Sequence, residues 1–174
     1  MFMRALPELL KRRPHARVLI VGGNEVGYGA APIINKSWKE IFIEEVRPHI
    51  DPSDWQRVHF FGRVPYEQFI SVLQISTIHV YLTYPFVLSW SLIEAMAARC
   101  CIVGSATPPV EELLQDSHSA RLVDFFDVSA QVRVIGELFD DPGERHRLAD
   151  AAAQKARDYS SLDGLRRWLE LIEL

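Results

Sequence analysis

Cysteine is almost absent. The only two, Cys100 and Cys101, are adjacent, which suits neither a disulfide framework, a metal-ligand spacing nor a CxxC redox pair. They read as two small buried apolar residues in a reducing compartment. Positive charge is also in short supply: 19 Lys and Arg stand against 23 Asp and Glu, for a net charge of −4. That excludes a basic footprint for nucleic acid. No apolar run is long enough to span a membrane. The start of the chain, residues 1–10, is too short and broken for a secretory signal. There is no repeat and no low-complexity stretch. His15, His49, His59, His79, His118 and His146 are scattered, and no His/Asp/Glu cluster has ligand spacing. His59 and His79 fall in apolar runs and are expected to be packed, hydrogen-bonded histidines.

What remains is an apolar content of 48% over 174 residues, the size of one ordinary globular domain. Apolar residues at helical spacing predict helices over 2–13, 38–46, 65–74, 126–139, 144–159 and 162–174, with one starting near Ser89. Short apolar runs predict strands over 17–22, 57–62, 75–82, 101–105 and 120–124. Residues 51–54 read as a turn, and 107–112 as a loop entering a short helix. Strands alternating with helices imply right-handed βαβ units. The fold class is therefore α/β: a Rossmann-like, three-layer α/β/α arrangement with a parallel sheet.

The glycine-rich stretch 22–29 follows a strand, which invites a phosphate-cradle reading. Its spacing is not GxGxxG, and Glu25 would repel an anion, so a connector is the better reading. The same misplacement argues against a dinucleotide oxidoreductase. A phosphoryl-receiving signalling domain needs Asp at early strand ends, where this chain has Gly22, Gly62, Thr83 and Ser105.

The stretch 81–98 organises the rest. An apolar strand breaks at Thr83-Tyr84-Pro85, and a helix then carries Glu94 one or two turns in. In an open parallel sheet, ligands bind beyond the carboxyl ends of strands, where helix N-termini present free N–H groups. Glu94 could receive ribose hydroxyls there, or could simply be an acid favoured by the helix macrodipole. The aromatic residues Tyr81, Tyr84, Phe86 and Trp90 read as core and cleft wall rather than a sugar-stacking platform.

Glu94-Ala95-Met96-Ala97 resembles part of the signature of the retaining, nucleotide-sugar-dependent glycosyltransferases of family four, which have the GT-B fold. Phe86 falls where that family has its first Glu, so no catalytic residue is assigned. Arg99 replaces a family Gly and Cys101 a family Pro. The run Tyr84-Pro-Phe-Val-Leu-Ser-Trp-Ser91 resembles a bacterial subgroup of the family. By this resemblance Glu94 would hold the donor ribose, and Gly62, Arg63 and Val64 would lie on the base side. Val87, Leu88 and Ser89 would offer backbone N–H groups to the sugar and phosphate. Pro108-Pro109 replaces a Gly-Gly turn, ahead of a matching Glu112.

The resemblance implies a donor domain, residues 1–174, for transfer of a hexosyl unit from a nucleoside diphosphate sugar to an acceptor hydroxyl with retention. No cofactor and no metal are expected. The family's preceding strand, its diphosphate-gripping Arg and Lys, and its N-terminal acceptor domain would lie ahead of Met1. The chain is thus expected to be most of one half of a bacterial two-domain enzyme, inactive alone. A cytoplasmic location is expected, peripheral to the inner face of the membrane in the longer protein. Its partners would be the nucleotide sugar and that N-terminal domain, with no nucleic acid. A homodimer contact is offered by an open sheet edge or by the face around Tyr84 and Trp90. The alternative is a non-catalytic interaction domain that kept the half-fold.

Overall fold

The computed structural model describes residues 1–26, 29–33, 35–84 and 88–172. In chain order it has helix α1 (Phe2–Arg12), strand β1 (Val18–Val21), α2 (Trp38–Val46), α3 (Pro52–Trp55), β2 (Val58–Gly62) and α4 (Tyr66–Ile75). Then follow β3 (His79–Tyr81), α5 (Trp90–Ala97), β4 (Ile102–Ser105), α6 (Pro108–Glu111), β5 (Arg121–Val123), α7 (Val128–Asp140), α8 (Pro142–Ala156) and α9 (Ser161–Ile172). All strand pairing is parallel, and helices cover the strands on both faces. This is the three-layer Rossmann-like arrangement that the alternation of elements predicts.

The strands form two sheets, not one. β1 pairs with β2, and β3, β4 and β5 pair in that order. β4 is the centre of the larger sheet, and all four of its residues are buried. Its side chains alternate between faces. Ile102 packs with Leu92, Met96 and Leu114, while Cys101 and Val103 pack with Leu9, Ile135 and Leu148. Helix α1 spans the two sheets on one face. Its Ala5 and Leu9 belong to the core over β4, and its Leu6 and Leu10 to the core over β2.

Several boundaries differ from the sequence reading, each for a local reason. Ile75 ends α4 instead of starting β3, so the strand keeps only His79–Tyr81 of the apolar run. Residues 51–54 contribute to a one-turn helix, because Pro52 stands at its first position with a preset φ. A 3-10 turn through Arg47–His49 follows α2 directly. Pro65 precedes α4 as its N-cap. Helix α7 starts at Val128 because the Asp127 side chain accepts from the Ala130 N–H. Asp141 caps α8 in the same way, with Pro142 at its first position. Ser37 and Glu40 form a reciprocal capping box at the head of α2.

The buried cysteines behave as apolar residues. Burial pushes both thiols up to about 11, and Cys100 Sγ donates to the Leu73 carbonyl at 3.2 Å. His79 departs from its expected hydrogen-bonded state. Its Nε2 is buried with no partner, and burial pushes the imidazole down to about 4.

Candidate functional site

Parallel strands bring all their carboxyl ends to one rim, and the connections leaving that rim carry the residues of interest. At the end of β2, Gly62 has φ +67, a left-handed conformation that favours glycine. Its carbonyl accepts from the Gly22 N–H at 2.9 Å, tying together the loops that leave β1 and β2. Arg63 turns outward, is exposed, and approaches the Glu25 carboxylate at 3.3 Å. The acid expected to repel an anion from the glycine-rich loop is therefore matched by a cation from the neighbouring loop. Val64 and Gly62 are half-buried.

The connection after β3 is built differently. Phe86 and Val87 lie outside the described residues. Leu88 is half-buried and packs on the core around Leu92 and Met96. Ser89 caps α5: its Oγ accepts from the Ser91 N–H at 3.2 Å. The Ser89 N–H, expected to be offered to a ligand, instead donates to the Tyr81 hydroxyl at 3.0 Å, because the strand-borne phenol reaches the head of α5. Below this, the buried Ser105 Oγ accepts from the Thr83 N–H at 3.1 Å and donates to the Thr83 carbonyl at 2.9 Å. The strand end is thereby pinned to β4 before the chain turns into α5.

Helix α5 turns Leu92, Ala95 and Met96 into the core, with no measurable exposure. Glu94 lies off that face and is half-buried. Tyr66, the first residue of α4, is exposed and stands beside Glu94. The Glu94 carboxylate, chiefly as an acceptor for the hydroxyl, raises the Tyr66 phenol above its ordinary value, with desolvation and the carboxylate's charge adding to it. Helix α4 begins just past the end of β2, so Tyr66 stands at the rim. Glu94 is thus neither sunk in the core nor turned away from the rim. It shares that rim with the turn formed by Gly62, Arg63 and Val64.

Of the aromatic residues expected as core and cleft wall, Tyr84 is 63% and Trp90 75% exposed, so neither is core; Tyr81 is half-buried, and Phe86 is outside the described residues. Tyr84 meets Phe125 and Phe126 edge-on, at centroid distances of 5.9 and 6.1 Å. Sequence reasoning missed this pair, along with Tyr66. Tyr66 follows Pro65 at a helix head, which is the one local signal that could have placed it at the rim. Among the described residues no group of three or more His, Cys, Asp or Glu is arranged to hold a metal ion.

The profile of the family described as "Glycosyl transferases group 1" matches residues 1–155. The chain belongs to that family. This group 1 domain is 28% identical over 160 residues to a D-inositol 3-phosphate glycosyltransferase of Streptomyces coelicolor, covering 90% of the chain and 33% of the relative. It is 26% identical to a protein of the same name from Corynebacterium efficiens, covering 91% and 35%. The group 1 domain thus spans about a third of the length of these curated relatives. Among solved structures it resembles Anabaena Alr3699/HepE in complex with UDP and glucose, with TM-score 0.76, 15% identity, and 97% and 44% coverage. It also resembles the C-terminal domain of the group 1 protein LpcC from Francisella tularensis, with TM-score 0.72, 17% identity, and 90% and 75% coverage. At these identities the structural likeness shows the shared α/β/α fold.

Among the described residues the rim offers hydrogen-bonding chemistry. A half-buried carboxylate can accept from a pair of hydroxyls, and the capped head of α5 carries partial positive charge toward an anion.

Proposed function

We propose that this domain binds the nucleoside diphosphate sugar donor of a glycosyltransferase that moves a hexosyl unit to an acceptor hydroxyl with retention. The observation that carries the reading is Glu94, half-buried at the rim beside Tyr66. Glu94 accepts from the ribose hydroxyls. Gly62, Arg63 and Val64 border the base, and their backbone groups are what a planar base would meet. Val87, Leu88 and Ser89 lead into the head of α5, where backbone N–H groups and the helix dipole favour the diphosphate.

The barrier to transfer is the charge that develops on the leaving diphosphate. Donors aimed at that charge lower it most where water is excluded. Glu94 contributes orientation, not proton transfer. The reading needs no metal, and it needs a second domain to carry the acceptor and close the cleft. With this reading we propose a cytoplasmic location, peripheral to the inner face of the membrane for the longer protein. UDP-bound neighbours of the same fold support a nucleotide ligand, and relatives named as glycosyltransferases support the reaction class.

The test is calorimetric titration with UDP and GDP. Wild-type protein binds one of them, and Glu94→Gln weakens binding about tenfold or more, the usual scale for losing a hydrogen bond to a charged group. Equal affinity in the two proteins removes Glu94 from the site. Absence of nucleotide binding in wild type, with the domain folded, overturns the donor reading.

A further inference from the structure

Tyr84, Phe125 and Phe126 form an aromatic cluster at the carboxyl rim of the larger sheet. The strand order there is β3, β4, β5; Tyr84 leaves β3, and the two phenylalanines leave β5. Strands on either side of a central one lie roughly 10 Å apart, yet the Tyr84 ring meets the two phenyl rings at 5.9 and 6.1 Å. The cluster therefore arches over the end of β4. Phe125 and Phe126 are themselves edge-to-face at 5.0 Å. Tyr84 and Phe126 are mostly exposed, and Phe125 is half-buried. Single exposed aromatics are ordinary on a surface, but rings gathered into one patch mark a contact site.

The backbone beneath the rings is fixed. Thr83 is pinned by the buried Ser105 through both its N–H and its carbonyl. The Ala106 N–H donates to the Val123 carbonyl at 2.7 Å. The Asp124 carboxylate accepts from the Phe126 N–H at 2.7 Å, and the fully buried Gln131 donates to the Phe125 carbonyl at 3.0 Å. A platform held in this way costs little to order on binding. Its chemistry narrows the occupant. The faces of the rings carry partial negative charge and attract polarised C–H groups. Asp124 and Asp127 are exposed in the same loop, where they repel phosphate and can accept from hydroxyls. An uncharged ring with C–H faces and a hydroxyl edge fits both features. A nucleotide meets like charge, and a lipid chain leaves the carboxylates unused.

We infer that Tyr84, Phe125 and Phe126 are a stacking platform for a pyranose ring, so that the acceptor of the transfer is itself a sugar or glycoside. Binding of the pyranose stands on the cluster alone; its role as acceptor rests on the donor reading. The placement fits that role. The smaller sheet lies on the β3 side of the larger one, since β1 and β3 line the same cleft. Tyr66 and the turn of Gly62, Arg63 and Val64 thus stand to one side of the head of α5, and the platform stands to the other. A donor laid with its base at that turn and its diphosphate at the head of α5 directs its sugar end away from the base, toward the rings. The platform then orients the acceptor ring that carries the attacking hydroxyl.

The test is a nuclear magnetic resonance titration of the 174-residue chain with methyl β-D-glucopyranoside, read on the aromatic side chains. The equatorial hydroxyls of this probe leave C–H groups on both faces of its ring. Mannitol, which has the hydroxyls but no ring, is the control. The glucoside shifts the Tyr84, Phe125 and Phe126 rings and leaves Phe61, exposed on β2, unmoved; mannitol shifts none of them. Tyr84→Ala and Phe126→Ala each weaken glucoside binding about threefold or more, the scale of one aromatic contact. Tyr84→Phe keeps the ring and keeps the binding. Absence of shifts at Tyr84 and Phe126, equal shifts with mannitol, or unchanged affinity in both alanine variants overturns the proposal. So does a dimer in light scattering that Phe126→Ala dissolves, because a second copy then covers the rings. The glucoside binding where neither UDP nor GDP binds overturns the donor reading and the acceptor role with it. Nucleotide binding without the ring shifts removes the platform alone.

Discussion

Glu94, in the second turn of α5, lies beside Tyr66, the first residue of α4, and its carboxylate raises the Tyr66 phenol above its ordinary value. Two elements that leave different strands thus meet at the rim.

Tyr66→Phe is therefore expected to weaken nucleotide binding up to about fivefold, the scale of one hydrogen bond, while leaving the thermal midpoint close to that of wild type. The linkage has a second readout. The carboxylate favours the neutral phenol, so the Tyr66 phenol titrates above the ordinary tyrosine value in wild type. It returns toward that value in Glu94→Gln. Ultraviolet titration of phenolate absorbance follows both, and a Tyr66 titration unmoved by Glu94→Gln contradicts the contact.

Arg99 carries φ +60 at the end of α5. Its N–H donates to the Met96 carbonyl, and the Cys100 N–H donates to the Ala95 carbonyl, the paired bonds of a Schellman stop. That stop prefers glycine, and a side chain there costs about 1–2 kcal/mol. Arg99 recovers part of this through an exposed ion pair with Asp150 on α8, worth up to about 1 kcal/mol. Arg99→Gly should thus stabilise the domain by up to about 1 kcal/mol in urea unfolding. A clear loss of stability would show that the ion pair outweighs the backbone strain.

Burial holds the His79 imidazole down to about 4, against an ordinary value of 6.5. Below the ordinary value the unfolded chain takes up a proton that the folded chain refuses. Stability from this residue is therefore complete above pH 6.5 and falls as pH drops toward 4. The loss reaches about 3 kcal/mol at most. His79→Phe removes the buried, unpartnered Nε2 and should flatten stability between pH 4 and 6.5, seen as a smaller wild-type-to-mutant difference at neutral pH than at pH 4.5. Parallel curves for the two proteins would exclude His79 as the source.

Arg57 is the joint at the foot of the smaller sheet. Its guanidinium donates to the carbonyls of Leu10, Arg13 and Ala16, each at 2.8 Å, and to Asp54 at 2.7 Å. It closes the carboxyl end of α1 and the turn into β1. The side chain is 16% exposed, so its loss strands buried acceptors. Arg57→Ala is expected to cost about 3 kcal/mol in chemical denaturation, and Arg57→Lys most of that, because an ammonium cannot span the same fork of acceptors. A cost below about 1 kcal/mol for Arg57→Ala would mean that water substitutes for the guanidinium.

Much of the fold was legible because its signals are local. Apolar runs of strand length alternate with helical stripes, and α2 matches its expected 38–46 span. Capping acids such as Asp127 and Asp141 were present in the sequence, but the helical stripes alone put the starts of α7 and α8 two residues away from the observed ones. The run before Ser76 was ambiguous for a physical reason: Ile75 suits both the end of a buried helix and the start of a buried strand. Packing of α4 against the core decided for the helix.

By itself the sequence determined the order of elements, the parallel sense of the strands and the position of Glu94 just inside a helix, because periodicity, turn chemistry and crossover handedness all act over short stretches. Only the tertiary structure decided that Tyr66 meets Glu94, that Arg63 meets Glu25, that Tyr84 and Trp90 stand in solvent and that the strands divide into two sheets. Each of these depends on distances between elements far apart in the chain, and those distances are set by how side chains fill the space between helices and strands.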